Sequence, residues 1–376
     1  MKRILHLQLL PLLSGVQNFS LHLLDGLDPN EFEITIASSA PGALVEACRE
    51  RGWNHIAIKG LRHPVNPLDL IGFLHIFLIL KRGKYDIVHT NSSKPGLLGR
   101  LAARLLKVPL ILHTCHGTPF QQGQAPIVYW LYVHLEKLAN SWGDMTVYVN
   151  HSDRKAALKL GLISSEKATT IYNAIPPGLE QRLRQIGTDR LKRGKAAEDS
   201  LIIGSTLRFS EQKNALQLTI SACKACRKNQ RLKFIILGGG EQYFLCRQIV
   251  RSYGLTRRIL LPGFDPEIAS WLEKFDAFIL YSRWEAQPFS IIEAMHSGLP
   301  VIGSDIPSIA ELVDESTGYL VPLAHPEELE KLLSQLAEDF SPALLKGQQG
   351  MKAVKAKCDY HTMVESYLKL YRGEKL

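Results

Sequence analysis

The chain has 376 residues, 45% hydrophobic and 22% charged, with 45 Lys plus Arg against 36 Asp plus Glu and a formal net charge of +9. That length gives two domains of ordinary size, and that composition excludes a disordered chain. The basic excess does not point to nucleic acid, because no basic run carries interleaved aromatic residues; it fits a diphosphate substrate or an anionic lipid surface.

The excess is uneven. Residues 1–170 hold 18 Lys plus Arg and 12 Asp plus Glu, so +6 of the +9 lies there and +3 remains for the rest. Six cysteines (Cys48, Cys115, Cys223, Cys226, Cys246 and Cys358) are scattered. Cys223 and Cys226 share a helical pattern with no second pair at zinc-finger spacing, so free thiols in a reducing, cytoplasmic setting are expected rather than a metal site.

Met1-Lys2-Arg3 followed by Ile4–Leu13 has the outline of a signal peptide, but His6 and Gln8 interrupt the apolar run and no small-residue cleavage site follows. Residues 2–10 therefore read as a first buried strand. Leu13-Ser14-Gly15-Val16-Gln17 turns it into a helix bearing Phe19, Leu21, Leu23, Leu24 and Leu27. Glycine lets the backbone approach a ligand, and the helix N-terminus behind Gly15 favours an anion. Alternation continues with strand 32–37, helix 42–52, strand 55–59, helix 67–82, strand 86–89, helix 95–106 and strand 109–114. This rhythm predicts a parallel sheet wrapped on both faces, with ligands beyond the carboxyl ends of its strands.

Two segments end such strands, Val88–Ser93 and Leu112–Gly117. In the second, His116 stands immediately before Gly117, whereas His89 and His113 read as structural. Leu68–Leu80, followed by Lys81, Arg82 and Lys84, is too short to span a bilayer and reads as a core helix; an interfacial helix with basic ends has the same pattern. Thr118–Tyr132, with Phe120 and Trp130, reads as a loop and a candidate acceptor or membrane surface. After strand 146–150, helix 152–160 and strand 168–172, the segment Asn173-Ala174-Ile175-Pro176-Pro177-Gly178 and the polar run to Ser200 mark a boundary. Domains are expected over 1–175 and 176–355, with a final segment over 356–376.

The second half repeats the scheme. Strand 200–205 leads into Leu207–Asn214, where Arg208 and Lys213 pair a guanidinium that forks two phosphate oxygens with an ammonium point charge. Strand 234–237 runs into Gly238-Gly239-Gly240-Glu241, which lacks the lysine and hydroxyl residue of a Walker loop. Ile259–Leu261 is followed by Pro262-Gly263-Phe264. Residues 275–305 are the densest in chemistry: strand Ala277–Leu280, a polar turn, then a helix opened by Pro288. Proline at the first helical position leaves the amides of Phe289, Ser290 and Ile291 for an anion. Glu285 and Glu293 frame that position; carboxylates accept sugar hydroxyls and repel phosphate, so the combination describes a nucleotide-sugar site.

Glu285-x7-Glu293 followed by Ala294-Met295-x-x-Gly298-x-Pro300-Val301 resembles the retaining glycosyltransferases of the GT-B group often called family 4. The resemblance implies an α/β GT-B fold of two facing, doubly wound Rossmann-like domains with an interdomain cleft, acceptor in the first and donor in the second, and a final helix crossing back to the first. Carried over residue by residue, His116 and Glu285 are the catalytic-site pair; Gly15, Arg208, Lys213 and the amides of Phe289 and Ser290 hold the donor diphosphate. Glu293 binds the ribose and Phe264 lies by the base. Three departures stand out: Ser14 replaces one of two usual glycines, Ala174 replaces the hinge glycine, and Ala286-Gln287-Pro288-Phe289-Ser290 replaces Gly-Phe-Gly after the first glutamate.

The expected activity is retaining transfer from a nucleotide-diphosphate donor, a UDP-sugar by preference, to a lipid-linked or cell-surface glycan. No Asp-x-Asp occurs, so neither metal nor other cofactor is expected. The expected setting is the cytoplasm, with peripheral contact to an anionic membrane. Two alternatives stay open: a GT-B epimerase, which would convert donor without acceptor, and a non-catalytic nucleotide-sugar-binding scaffold, which would tolerate loss of His116 and Glu285.

Overall fold

Unlike outer segments such as Asn54–Ala57 and Ile259–Gly263, the central strand segments of this chain, Ile87–Asn91, Ala277–Leu280 and Val301–Ser304, are buried at every position. Such runs suit parallel strands covered on both faces, because neither side of the pleat meets water. The computed structural model describes residues 1–61, 67–118, 124–195 and 199–374. These fall into two compact units, 1–174 with 360–376, and 175–359.

The first unit contains β1 (Lys2–Leu7), α1 (Gly15–Asp25), β2 (Phe32–Ser38), α2 (Ala43–Glu50), β3 (Asn54–Ala57), α3 (Asp69–Gly83), β4 (Ile87–Asn91), α4 (Ser93–Leu105), β5 (Leu110–Cys115), α5 (Pro126–Trp142), β6 (Met145–Tyr148), α6 (His151–Lys159) and β7 (Ala168–Thr170). The second contains α7 (Pro177–Arg193), β8 (Leu201–Thr206), α8 (Ala215–Lys228), β9 (Leu232–Leu237), α9 (Tyr243–Ser252), β10 (Ile259–Gly263), α10 (Ile268–Leu272), β11 (Ala277–Leu280), α11 (Phe289–His296), β12 (Val301–Ser304), α12 (Pro307–Ala310), β13 (Gly318–Val321), α13 (Pro326–Glu338) and α14 (Ser341–Lys357). The last helix, α15 (Tyr360–Arg372), packs within the first unit.

Every strand pair in both sheets is parallel. The orders are β3-β2-β1-β4-β5-β6-β7 and β10-β9-β8-β11-β12-β13. Each order reverses once, between β1 and β4 and between β8 and β11, and a crevice opens at the carboxyl ends on either side of such a reversal.

Several expectations need correction. Residues 126–142, read in part as loop, form α5, with Pro126 at its start; Phe120 lies outside the described residues. The polar stretch after Pro177, read as marking a boundary, forms helix α7. Its inner stripe, Leu183, Gly187 and Arg190, has the i, i+4, i+7 spacing, but only the first is an ordinary core residue. Gly187 allows close approach to the backbone of Ser297 and Gly298. Buried Arg190 donates to the carbonyls of Phe275 (3.2 Å), Leu272 (2.5 Å) and Ser297. The core reading of α3 holds for one face only: Gly72, Ile76, Ile79 and Leu80 are buried, whereas Leu70, Ile71, Leu74 and Leu78 are exposed.

A buried polar chain holds α15 to the first sheet. Tyr371 Oη lies 2.8 Å from His6 Nε2 and 2.7 Å from His89 Nδ1. His89 Nε2 meets Thr114 Oγ1 at 2.7 Å, and Tyr367 Oη reaches the same oxygen at 3.0 Å. Burial pushes the His6 pKa down to about 3 and that of His89 well below the usual imidazole range, so both rings are neutral and one N–H each suffices for the chain. Tyr371→Phe removes the hydroxyl shared by two buried rings; leaving such groups unpaired costs about 1–3 kcal/mol. The urea midpoint of the first unit's transition is expected to fall accordingly, and an unchanged midpoint would remove the network from the stability account.

Candidate functional site

The neighbour order β10-β9-β8-β11 sets four strand-end turns in a row along one edge of the second unit. Hydrogen bonds join them successively. Gly238 N donates to Gly263 O (2.8 Å), next to Phe264; Phe209 N donates to Gly239 O (2.9 Å) and Gln242 N to Phe209 O (2.9 Å). Arg283 N donates to Gln212 O (2.8 Å), and Gln212 Nε2 donates to Trp284 O (3.1 Å). Glycine is required at 238, where φ is +132° and an added Cβ would sit 1.8 Å from Leu207 O. The triple glycine therefore lies directly on the backbone that carries Arg208.

Along this row the structure brings together Arg208, Lys213 and Glu285. Lys213 Nζ contacts Glu285 Oε1 at 2.5 Å, with side-chain exposures of 18% and 6%. A pair this desolvated requires both partners, because removing either leaves a buried charge. Arg208 is exposed and lies 3.3 Å from Glu241 Oε2 of the glycine turn. Phe264, 75% exposed, offers an open ring face at the far end of the row.

The helix after β11 starts one residue later than expected: Pro288 is the N-cap, at φ −74° and ψ 121°, and Phe289 is the first helical residue. The amides of Ile291 and Ile292 both close on Pro288 O, at 3.1 and 3.4 Å. Of the three amides expected to face an anion, that of Ile291 is thus engaged inside the turn. Glu293 lies on α11, and its carboxylate has no hydrogen-bond or ion-pair partner among the described residues. Burial pushes its pKa up to about 7.

Gly15 and His116 belong to the first unit. Gly15 is the first residue of α1, in a turn held by Ser14 Oγ donating to Gln17 Oε1 (2.5 Å). His116 follows β5, and its Nε2 lies 3.1 Å from Asn91 Oδ1 at the end of β4. Phe19 of α1 packs edge-on against the same ring, centroids 4.7 Å apart, so α1 and His116 are adjacent. Burial lowers the His116 pKa to about 3. The ring is therefore neutral, with Nε2–H donated to Asn91 in the observed arrangement. Asn91, Glu241 and the Gln212–Arg283 link were not singled out by sequence; Asn91 and Glu241 lie far along the chain from His116 and Arg208, which only the folded strand order makes their neighbours, and Gln212 and Arg283 stand beside Lys213 and Glu285.

Two Rossmann-like units, one carrying cations, carboxylates and a helix start along the carboxyl edge at its strand reversal, define a nucleotide-binding α/β protein. Residues 13–179 match the family described as Glycosyltransferase Family 4, and residues 200–339 match Glycosyl transferases group 1. An Escherichia coli UDP-Gal:alpha-D-GlcNAc-diphosphoundecaprenol alpha-1,3-galactosyltransferase is 31% identical over 347 residues, covering 90% of this chain and 88% of its own length. The chain belongs to the group 1 glycosyltransferases and is a hexosyltransferase.

Its fold is GT-B. The crystal structure of Anabaena Alr3699/HepE in complex with UDP and glucose superposes with a TM-score of 0.82 at 17% identity, covering 99% of this chain and 100% of that one. The lipopolysaccharide outer core galactosyltransferase WaaB, in its apo form, superposes with a TM-score of 0.70 at 14% identity, covering 99% of each chain.

The raised Glu293 pKa carries a stability signature. Its folded value of about 7 lies above the ordinary 4.5, so the neutral carboxyl favours the folded state. That contribution is complete below the unfolded pKa and is lost as pH rises through the folded one. Glu293→Gln is expected to gain stability relative to the parent chain between about pH 4.5 and 7 and to hold a constant difference above that window. Parallel stability–pH profiles in urea melts would contradict the assignment.

Proposed function

We propose that this hexosyltransferase moves a sugar, with retention and without a metal, from a UDP-sugar to a hydroxyl of a lipid-linked or cell-surface glycan. The observation that carries the reading is the row of second-unit turns: an open aromatic at one end, two cations with a helix start in the middle, and a desolvated glutamate beside them. A nucleotide diphosphate sugar has the matching sequence of parts, namely base, ribose, diphosphate and sugar. The E. coli relative's name specifies UDP-Gal and a diphosphoundecaprenol-linked sugar, and the Anabaena structure was solved with UDP and glucose; both support the choice of donor and acceptor class.

In this reading Phe264 covers the base and Glu293 accepts the ribose hydroxyls. Arg208 exchanges Glu241 for the diphosphate, and Lys213 with the amides of Phe289 and Ser290 completes its charge neutralisation. Glu285 accepts hydroxyls of the transferred sugar. The bond from the anomeric carbon to the leaving phosphate oxygen breaks as the acceptor oxygen bonds to that carbon on the same face. The acceptor proton passes to the leaving phosphate, so UDP departs with no protein nucleophile. Because Arg208, Lys213 and the helix start meet the developing charge, no metal is needed. His116 and Gly15 are assigned to the donor by family resemblance, His116 as a neutral imidazole. The free thiols fit a cytoplasmic setting, and a glycan built for export, such as a polysaccharide or lipopolysaccharide, fits the lipid-linked acceptor.

A thermal-shift screen of nucleotide sugars tests the donor site. One UDP-sugar is expected to stabilise the parent chain, and Arg208→Ala to weaken that donor about 10–100-fold, the loss of a charged hydrogen bond worth about 1.5–3 kcal/mol. Transfer should persist in chelator, and the product should keep the donor's anomeric configuration by NMR. No stabilisation by any nucleotide sugar would overturn the donor site; an inverted product or chelator-sensitive turnover would overturn the mechanism.

A further inference from the structure

Among the described residues of the first unit, the outer face of α3 has no partner, and it has the wrong chemistry for open water. Leu70, Ile71, Leu74 and Leu78 are 66%, 50%, 52% and 42% exposed. Their i, i+1, i+4, i+8 spacing sets them in one stripe opposite the buried Gly72, Ile76 and Ile79. A helix on the surface of a globular domain ordinarily turns polar residues outward. Here the one acidic residue of the helix, Asp69, is tied to Lys94 at 2.8 Å. The stripe ends in exposed Lys81, Arg82 and Lys84.

Two neighbouring features extend this face. Leu78 also lines a cleft of about 480 Å³ whose walls include Arg3, His55, His75 and Arg82. Helix α5, which packs with α3 on opposite flanks of α4, carries its own exposed apolar residues: Ile127 (71%), Trp130 (56%), Leu131 (48%) and Leu138 (48%).

We propose that this face is a bilayer-docking surface that takes an anionic phospholipid membrane. The leucine stripe of α3 enters the boundary between headgroups and acyl chains, and Lys81, Arg82 and Lys84 at its end meet anionic headgroups. The contact lies in the plane of the interface, since no helix among the described residues is long and apolar enough to cross a membrane. Charge complementarity favours a bilayer over a second copy of the chain: the cations at the end of the stripe, Lys81, Arg82 and Lys84, would be neutralised by an anionic leaflet, whereas a second copy brings the same basic residues. The proposal deepens the reading of a lipid-linked acceptor, but the surface can be tested without it.

The test is co-sedimentation of the full chain with vesicles of phosphatidylcholine alone and of phosphatidylcholine mixed with phosphatidylglycerol. Comparison proteins are Leu74→Ser/Leu78→Ser and Lys81→Glu/Arg82→Glu, none of them in the donor row. The parent chain is expected to bind the anionic vesicles, to release them as salt rises, and to lose affinity about tenfold or more in each double variant, given about 1 kcal/mol per basic residue at the surface. The thermal shift with the UDP-sugar, measured in parallel, should be unchanged in both variants. That separates failure of the membrane surface from failure of the donor site. Equal sedimentation of parent and variants, or none with anionic vesicles, would overturn the proposal; a concentration-dependent dimer lost in Leu74→Ser/Leu78→Ser would assign the face to a second copy instead.

Discussion

The contact between Lys213 and Glu285 exists because the second sheet reverses its order between β8 and β11. At that reversal the helices after the two strands leave on opposite faces, and the strand ends stay uncovered by any crossover. Two turns must then face each other across the opening, and their polar groups have to be satisfied there. The main-chain link from Arg283 to Gln212 and the buried ion pair do so. Once these turns are fixed, the remaining positions follow from strand adjacency: the glycine turn lies on Arg208, and Phe264 lies beyond it.

Electrostatics differ sharply along this edge. Lys213 and Glu285 neutralise each other in a desolvated spot, Arg208 and Glu241 pair in open solvent, and Glu293 is desolvated without a partner. A part-buried carboxylate lacking a cation is costly to ionise, and ligand hydroxyls would offset that cost. The first unit spends its buried polar groups differently. His6, His89, Thr114 and two tyrosines form a chain of hydrogen bonds that anchors α15, whereas His116 sits at the edge of this region on Asn91. Neighbouring histidines on adjacent strands thus divide between holding the fold and standing at a strand end.

Most of the fold was legible because parallel strands covered on both faces are short apolar runs, and turns at their carboxyl ends are punctuated by Gly, Pro and charge. Arg208, Lys213, Glu285 and Glu293 could be chosen for the same reason, each being a charge placed next to such a run. Three things were hidden. Helix α7 buries a glycine and an arginine where a core stripe normally shows apolar residues, so its periodicity is faint. Helix α3 shows apolar residues on every side, and sequence cannot tell which side is covered. Asn91 and Glu241 matter through neighbours brought close only by strand order, which no local pattern encodes.

The central claim is that the donor lies along the carboxyl ends of β10, β9, β8 and β11. Hydrogen exchange with and without a saturating UDP-sugar, read peptide by peptide, tests it most directly. New protection in the second unit is expected to concentrate in residues 207–214, 238–242, 263–265 and 281–293, with the sheet's opposite edge unchanged. Protection confined to other segments of that unit, with these four turns exchanging as before, would contradict the account.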